Sequence, residues 1–262
     1  MAAPSTKKPL VSSILLWMRT DRPRQLGMDY WRGPHSTIIV ATPGVEEYRQ
    51  IHLAEHNPGL WPAIGGVETV IPAERRIDGV AEVTFTSVLS PLRGRKQTRL
   101  AHRDEVNVFR RTLLYAGLPN SARWYAVAGP GEKAAARSLI YLRKREDVSR
   151  GALRRFLTNE LVPALVSAGA LRELRTQLFM PWIKQLWESP NVAHDNPADQ
   201  RLHASLILGF ADSTTLRGFF GSGEVAAVSA RLPQFASAVH AYEVSEALTY
   251  VSNGTILADA RT

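Results

Sequence analysis

The stretch YWRGPHSTIIV, residues 30–40, sets a histidine beside a Gly-Pro pair in a segment whose apolar residues otherwise recur at helical spacing. His35 follows Trp31 by four residues and Met28 by seven, so on a helix all three share the face that packs inward. An imidazole there has two uses. It can be a core histidine, one ring nitrogen bonded to a carbonyl freed by Pro34, which removes a helix N–H. It can instead act as a general acid/base in an apolar pocket, because an unperturbed imidazole titrates near neutral pH. Gly33 and Pro34 would loosen the helix where a substrate must approach. Farther on, EYRQIH places Tyr48 and His52 on one face of a strand, about 13 Å apart. They cannot touch, but a substrate could bridge His35 to one of them. Tyr48 would then donate to a developing oxyanion, and His52 would be a second proton-transfer group. The bland alternatives are a sheet tyrosine with a wet hydroxyl and an ordinary strand histidine.

These side chains need elements to position them. LVSSILLWM (10–18) has strand character, 24–41 has helical spacing, and PGVEEYRQIHL (43–53) is a turn and second strand. GVAEVTFTSV is a third strand, RDEVNVFRRTLLYAG a helix ending at Gly117, and ARWYAVAG a fourth strand. The order βαββαβ restarts near 137 with RSLIYLRK, SRGALRRFLTNELVPALVSAG, ELRTQLFM, LHASLILGF, GEVAAVSARL and AVHAYEVSEALTYV. A lag of 125 aligns Trp31 with Phe156, Gly44 with Gly169, Leu53 with Leu178 and Phe85 with Phe210. Each βαββαβ unit leaves one sheet face bare, and two fused copies can cover each other. The expected fold is α+β: tandem ferredoxin-like units forming an intrachain dimeric α+β barrel, residues 1–130 and 131–262, divided within AGPGEKAAA (128–136). By the same lag His35 corresponds to Glu160, Tyr48 to Glu173 and His52 to Gln177. The chemical set is not duplicated, so the first half is expected to be active and the second a scaffold, with a carboxylate site on Glu160 as the alternative.

Residues 54–76 are long for a link between neighbouring strands and read as a lid. Trp61 is its only large aromatic. It would close over a ligand beside Trp31, or merely anchor the loop.

Composition narrows the classes. The 262 residues are 45% hydrophobic and contain no cysteine, which excludes disulfides, thiolate nucleophiles and Cys-based metal sites. The cytoplasm is the default location. The apolar run after Lys7 and Lys8 ends at Arg19 without a small-residue cleavage site, and no apolar segment approaches the roughly 20 residues that span a bilayer. The net charge is +8, densest in RGRKQTRLAHR at 93–103. No aromatics are interleaved there, so a solvated loop is expected rather than a nucleic-acid site, and an anionic substrate stays open. His52 and His56 have the spacing of a helical zinc pair but lack the glutamate of HExxH, and GxSxG, P-loop and GxGxxG motifs are absent.

MDYWRGPHSTIIVATPGVEEYRQIHL resembles the first helix and second strand of EthD-like proteins, and RIDGVAEVTF resembles their third strand. The resemblance covers residues 9–128 and is weaker over 137–251. It implies a dimeric α+β barrel from a superfamily of cofactor-free isomerases, lyases, dehydratases and monooxygenases. Some of its members hold haem through a histidine in the C-terminal half of the unit, where His203 and His240 lie on strands; both are read as ordinary strand residues. The match includes the family's histidine at His35 and tyrosine at Tyr48. The expected protein is a cofactor-independent lyase, dehydratase or isomerase, with His35 transferring protons on a small hydrophobic substrate, aromatic or anionic. A ligand-binding accessory protein and a cofactor-free monooxygenase are the alternatives. No metal, nucleic acid or membrane is expected, and a homo-oligomer is compatible with the sequence.

Overall fold

Ten of the described strands form one continuous sheet path, and an eleventh pairs with the long strand at its centre. The computed structural model describes residues 3–261. In chain order the elements are β1 (Ser5–Lys8), β2 (Leu10–Met18), α1 (Arg24–Tyr30), α2 (Ser36–Val40), β3 (Val45–Leu53), β4 (Gly79–Phe85), α3 (Ser90–Arg93), α4 (Arg95–Glu105) and β5 (Phe109–Ala116). There follow β6 (Ala122–Tyr125), β7 (Ala136–Lys144), α5 (Arg150–Phe156), α6 (Val162–Ser167), β8 (Leu171–Leu178), β9 (Ala204–Phe210), α7 (Ser213–Phe220), α8 (Gly223–Ser229), β10 (Ala236–Ser252) and β11 (Thr255–Arg261). Within each half the order is second, third, first, fourth strand, the ferredoxin-like arrangement.

The halves join through long fourth strands. β10 pairs with β7 through its first part and with β3 through its second. β5 turns at Gly117 into β6, which pairs with β8, and a bridge between Gly117 and Phe179 closes the other seam. The barrel so formed has a core supplied by both halves: Leu15, Trp17, Ile51 and Tyr115 meet Tyr141, Phe179, Ile207 and Tyr242. At its edge Arg49 binds Glu173 at 2.7 Å, Arg137 binds Glu173 at 2.8 Å, and Arg175 binds Glu47. Burial alone would raise the Glu173 carboxyl, but Arg49, Arg175 and Arg137 hold it far below the usual carboxylate range. Two further cores lie between the sheets and their helices, one in each half. No helix among the described residues is long and apolar enough to cross a membrane.

Four sequence expectations need correction. The basic stretch 93–103, expected as a loop, runs through helix α4, and the helix expected up to Gly117 ends at Glu105. Phe109–Ala116 is the fourth strand of the first half; its apolar residues fit both periods, and the register with β2 decides for the strand. The segment expected as that strand is only the short β6. The repeat also runs at a different lag over the site. β2 and β7, α1 and α5, and β3 and β8 each begin 126 residues apart, whereas β4 and β9 begin 125 apart. One residue along a strand exchanges its faces. His35, Tyr48 and His52 therefore correspond to Leu161, Leu174 and Leu178, all buried in the second half's core. Glu160 instead pairs with Arg231 near the surface, and Glu173 joins the inter-half network.

Candidate active site

In β2 the side chains alternate, Leu15 and Trp17 facing the barrel core and Ile14 and Leu16 facing the helices. On that helix side of the first half the layer is not filled. A cavity of about 720 Å³ opens there, walled by Ile14, Leu16, Ala81, Val83 and Phe85 from the sheet. Trp31, His35 and Ile39, spaced by four, line it from the first helical segment, and Arg95, Thr98, Arg99, His102 and Glu105 line it from α4.

The backbone around His35 departs from an α-helix. Trp31–His35 form a π turn containing Pro34. Four consecutive carbonyls accept side-chain hydrogen bonds: Trp31 from Gln50 Nε2 at 2.8 Å, Arg32 from Tyr250 at 2.8 Å, Gly33 from Ser36 at 2.8 Å and Pro34 from Thr37 at 2.7 Å. These bonds stabilise the widened turn and so fix the direction of His35. The indole of Trp31 lies on Gly79, where an added Cβ would stand 2.4 Å from Cζ3. Asp78, just before it, accepts from the Met18 backbone at 2.7 Å and from Arg24 at 2.5 Å.

His35 is buried, and its Nδ1 is 2.8 Å from Asp104 Oδ2. Asp104 also accepts from Tyr30 at 2.8 Å and Asn107 at 3.0 Å. The hydrogen bond from His35 is the main reason its pKa falls to about 2. An ionised Asp104 can only accept, so Nδ1 carries the proton, and in the neutral tautomer that this selects Nε2 is the acceptor. The same cavity is lined by His102, whose pKa is lowered chiefly by burial and whose Nε2 has no partner among the described residues. Burial also raises the Glu105 carboxyl above its ordinary range, although Ser189 at 2.5 Å, Trp187 at 2.8 Å and Thr112 at 3.1 Å donate to it. The result is an apolar chamber with an oriented histidine, a second histidine and a carboxyl along its helical wall.

Of the residues expected at the site, the structure brings Trp31 and His35 to the cavity. Tyr48 and His52 lie behind Trp31. They share one strand face as expected, and Gln50 links them, donating to the Tyr48 hydroxyl at 2.9 Å and lying 3.0 Å from His52 Nε2. His52 stacks on Trp31 at 4.5 Å, and burial pushes its pKa down to about 3. Neither ring lines the cavity, which corrects their expected contact with substrate. Trp61 lies elsewhere, in the second half's core, donating to Ser229 at 3.0 Å and packing on Phe220. His240 is taken by Glu68 at 2.8 Å, and His203 accepts from the Lys144 backbone.

Loop 54–78 crosses to the second half, and the loop between β8 and β9 crosses to the first. The crossings are related: Glu68 bridges to Ala238, and Ala193 bridges to Arg111. Trp61 and Trp187 stand 126 positions apart in the sequence. Trp61 plugs into the second half's core; Trp187 stays half-buried at the cavity, its ring 4.4 Å from that of His102 and its Nε1 on Glu105. The covering loop was thus expected on the wrong segment. His102, Asp104, Glu105 and Trp187 were all missed. The spacing of Arg95, Arg99, His102 and Glu105 on one helical face was the available signal, obscured by reading that stretch as a loop.

The sequence matches no family model and no curated protein. Its three-dimensional structure does have relatives. An anthrone oxidase-like protein superposes with a TM-score of 0.58 at 8% identity, covering 94% of this chain and 96% of its own. A Fusobacterium nucleatum protein provisionally named a monooxygenase gives 0.55 at 6% identity, covering 97% and 98%. A Lactobacillus acidophilus protein of the same provisional name gives 0.52 at 8% identity, covering 97% and 100%. Over nearly its whole length, then, this chain has the fold of those proteins, a dimeric α+β barrel with both units in one polypeptide.

Proposed function

We propose that the chain is a cofactor-independent enzyme of EthD-like type that removes a proton from carbon in a small hydrophobic substrate. The carrying observation is His35: buried, held through Nδ1 by an ionised Asp104, and lining an apolar cavity of about 720 Å³. In the proposed step the C–H proton passes to His35 Nε2, and the electron pair remains on the substrate as an enolate. Trp31 Nε1 and His102 Nε2, both on cavity-lining residues, have no partner among the described residues. The first can donate to an oxyanion and the second can accept from a substrate hydroxyl. Glu105, protonated more readily than an ordinary carboxyl, can return a proton to another substrate atom. Reprotonation elsewhere makes the reaction an isomerisation, and departure of a leaving group makes it a lyase or dehydratase reaction. Tyr48 and His52 are positioning residues in this reading, acting through Gln50 and Trp31.

The test is a panel of hydrophobic carbon acids, aromatic ketones and lactones, incubated in D₂O with an oxygen electrode in parallel. Deuterium incorporation without oxygen uptake, reduced about 10²-fold in His35→Gln with an unchanged melting temperature, is expected. His35-dependent oxygen consumption would assign a cofactor-free monooxygenase instead. Binding without exchange or consumption would assign a non-catalytic ligand-binding protein.

A further inference from the structure

Residues 86–103 contain five Lys and Arg and no Asp or Glu. Arg93, Arg95, Lys96, Arg99 and Arg103 are all exposed, and none forms an ion pair among the described residues. Helix stability does not account for them. Arg95 and Lys96 occupy the first turn of α4, where the helix dipole disfavours cations, and no acidic residue is there to offset them. Arg95, Arg99 and Arg103 repeat at i, i+4 and i+8, and each such like-charge pair weakens the helix. Two of these five also line the cavity, at the end of α4 away from His102 and Glu105. Val88, Leu92 and Leu186 are apolar residues that also line the cavity while remaining exposed. The mouth therefore combines a greasy rim with two uncompensated guanidiniums.

We infer that the ligand of this cavity is an amphiphilic anion, its hydrophobic body inside and a carboxylate or equivalent anionic group held at the mouth by Arg95 and Arg99. The inference rests on the proposed use of the cavity as a substrate site. Two guanidiniums one helical turn apart match the fork of a planar anion better than a single ammonium would. Seven residues of helix separate Arg95 from His102, a rise of roughly 10 Å. A ligand reaching from the arginines to the reactive end thus needs a body of two or three rings.

A matched pair of fluorescent probes tests this: 8-anilinonaphthalene-1-sulfonate and neutral N-phenyl-1-naphthylamine, which share a skeleton and differ in the sulfonate. The wild-type chain should bind both at one mutually competitive site, the anion more weakly as salt rises and the neutral probe independently of salt. The double variant Arg95→Gln/Arg99→Gln should lose about tenfold or more in affinity for the anion and stay within twofold for the neutral probe. Equal effects on both probes, no effect on either, or binding at separate sites would overturn the arginine assignment. Failure of the neutral probe to bind at all would overturn the cavity reading as well.

Discussion

At the scale of single residues, the chemistry turns on what holds an imidazole. His35 is turned by Asp104, and Asp104 is itself held by Tyr30 and Asn107, so the acceptor nitrogen is fixed before any substrate arrives. Asp104→Asn keeps the size of that partner and removes its charge. Its carboxamide can present an N–H to Nδ1 and favour the wrong tautomer, so kcat/KM should fall about 10²-fold or more with little change in melting temperature. Retention of full turnover would show that His35 needs no ionised partner. His52 gives a prediction in pH. Its pKa is lowered from 6.5 to about 3, chiefly by burial. A depressed folded-state pKa contributes stability that is present above pH 6.5 and lost as pH falls towards 3. The wild type should lose about 2 kcal/mol through this group between pH 7 and pH 5. His52→Gln should lack that loss, whatever its stability at pH 7. Parallel urea titrations at the two pH values decide it.

At the scale of elements, two crossing loops carry two tryptophans to opposite ends. Trp61 is packed into the second half's core, touching Phe220 and bonding to Ser229, while Trp187 leaves a chamber beneath it and latches onto Glu105. The same substitution should therefore have opposite consequences. Trp61→Ala removes a buried ring from a packed core and should cost about 3–5 kcal/mol, with ligand binding retained once the protein is folded. Trp187→Ala removes a half-exposed ring and should cost little stability while weakening ligands of the cavity and freeing the Glu105 carboxyl. Calorimetry and fluorescence titration separate the two effects. Equal destabilisation by both would mean that the cavity is as tightly packed as its counterpart.

At the scale of the whole molecule, the halves are not separable bodies. Their shared barrel core joins Trp17 and Tyr115 to Tyr141, Phe179 and Tyr242, and Arg49 in one half answers Glu173 in the other. β1 and β6 lie on the second half's sheet although they come from the first 130 residues. Residues 1–130 expressed alone should aggregate or self-dimerise, because the fragment exposes that core and takes Arg175 from Glu47 and Glu173 from Arg49. A stable monomeric fragment, seen by sedimentation, would show that each half closes its own core.

The sequence by itself determined much of this protein. Alternation in LVSSILLWM and GVAEVTF, helical spacing from Met28 to His35, and the restart of the pattern near 137 are properties of the local chain, and they are enough for a tandem α+β barrel. The inward position of Trp31 and His35 was legible for the same reason. Tertiary structure decided the rest. The exchange of crossing loops depends on which half each long loop meets, and nothing local in WPAIGG or WESPN records that destination. The equivalence of His35 with Leu161 rather than Glu160 depends on a one-residue offset that strand pairing sets and a four-residue match does not resolve. His102, Asp104 and Glu105 become part of a site only because α4 folds back over the outer face of the sheet, against the segment that carries His35. A cavity is the space that packing leaves between such elements, so no residue spacing along the chain specifies its volume or its mouth.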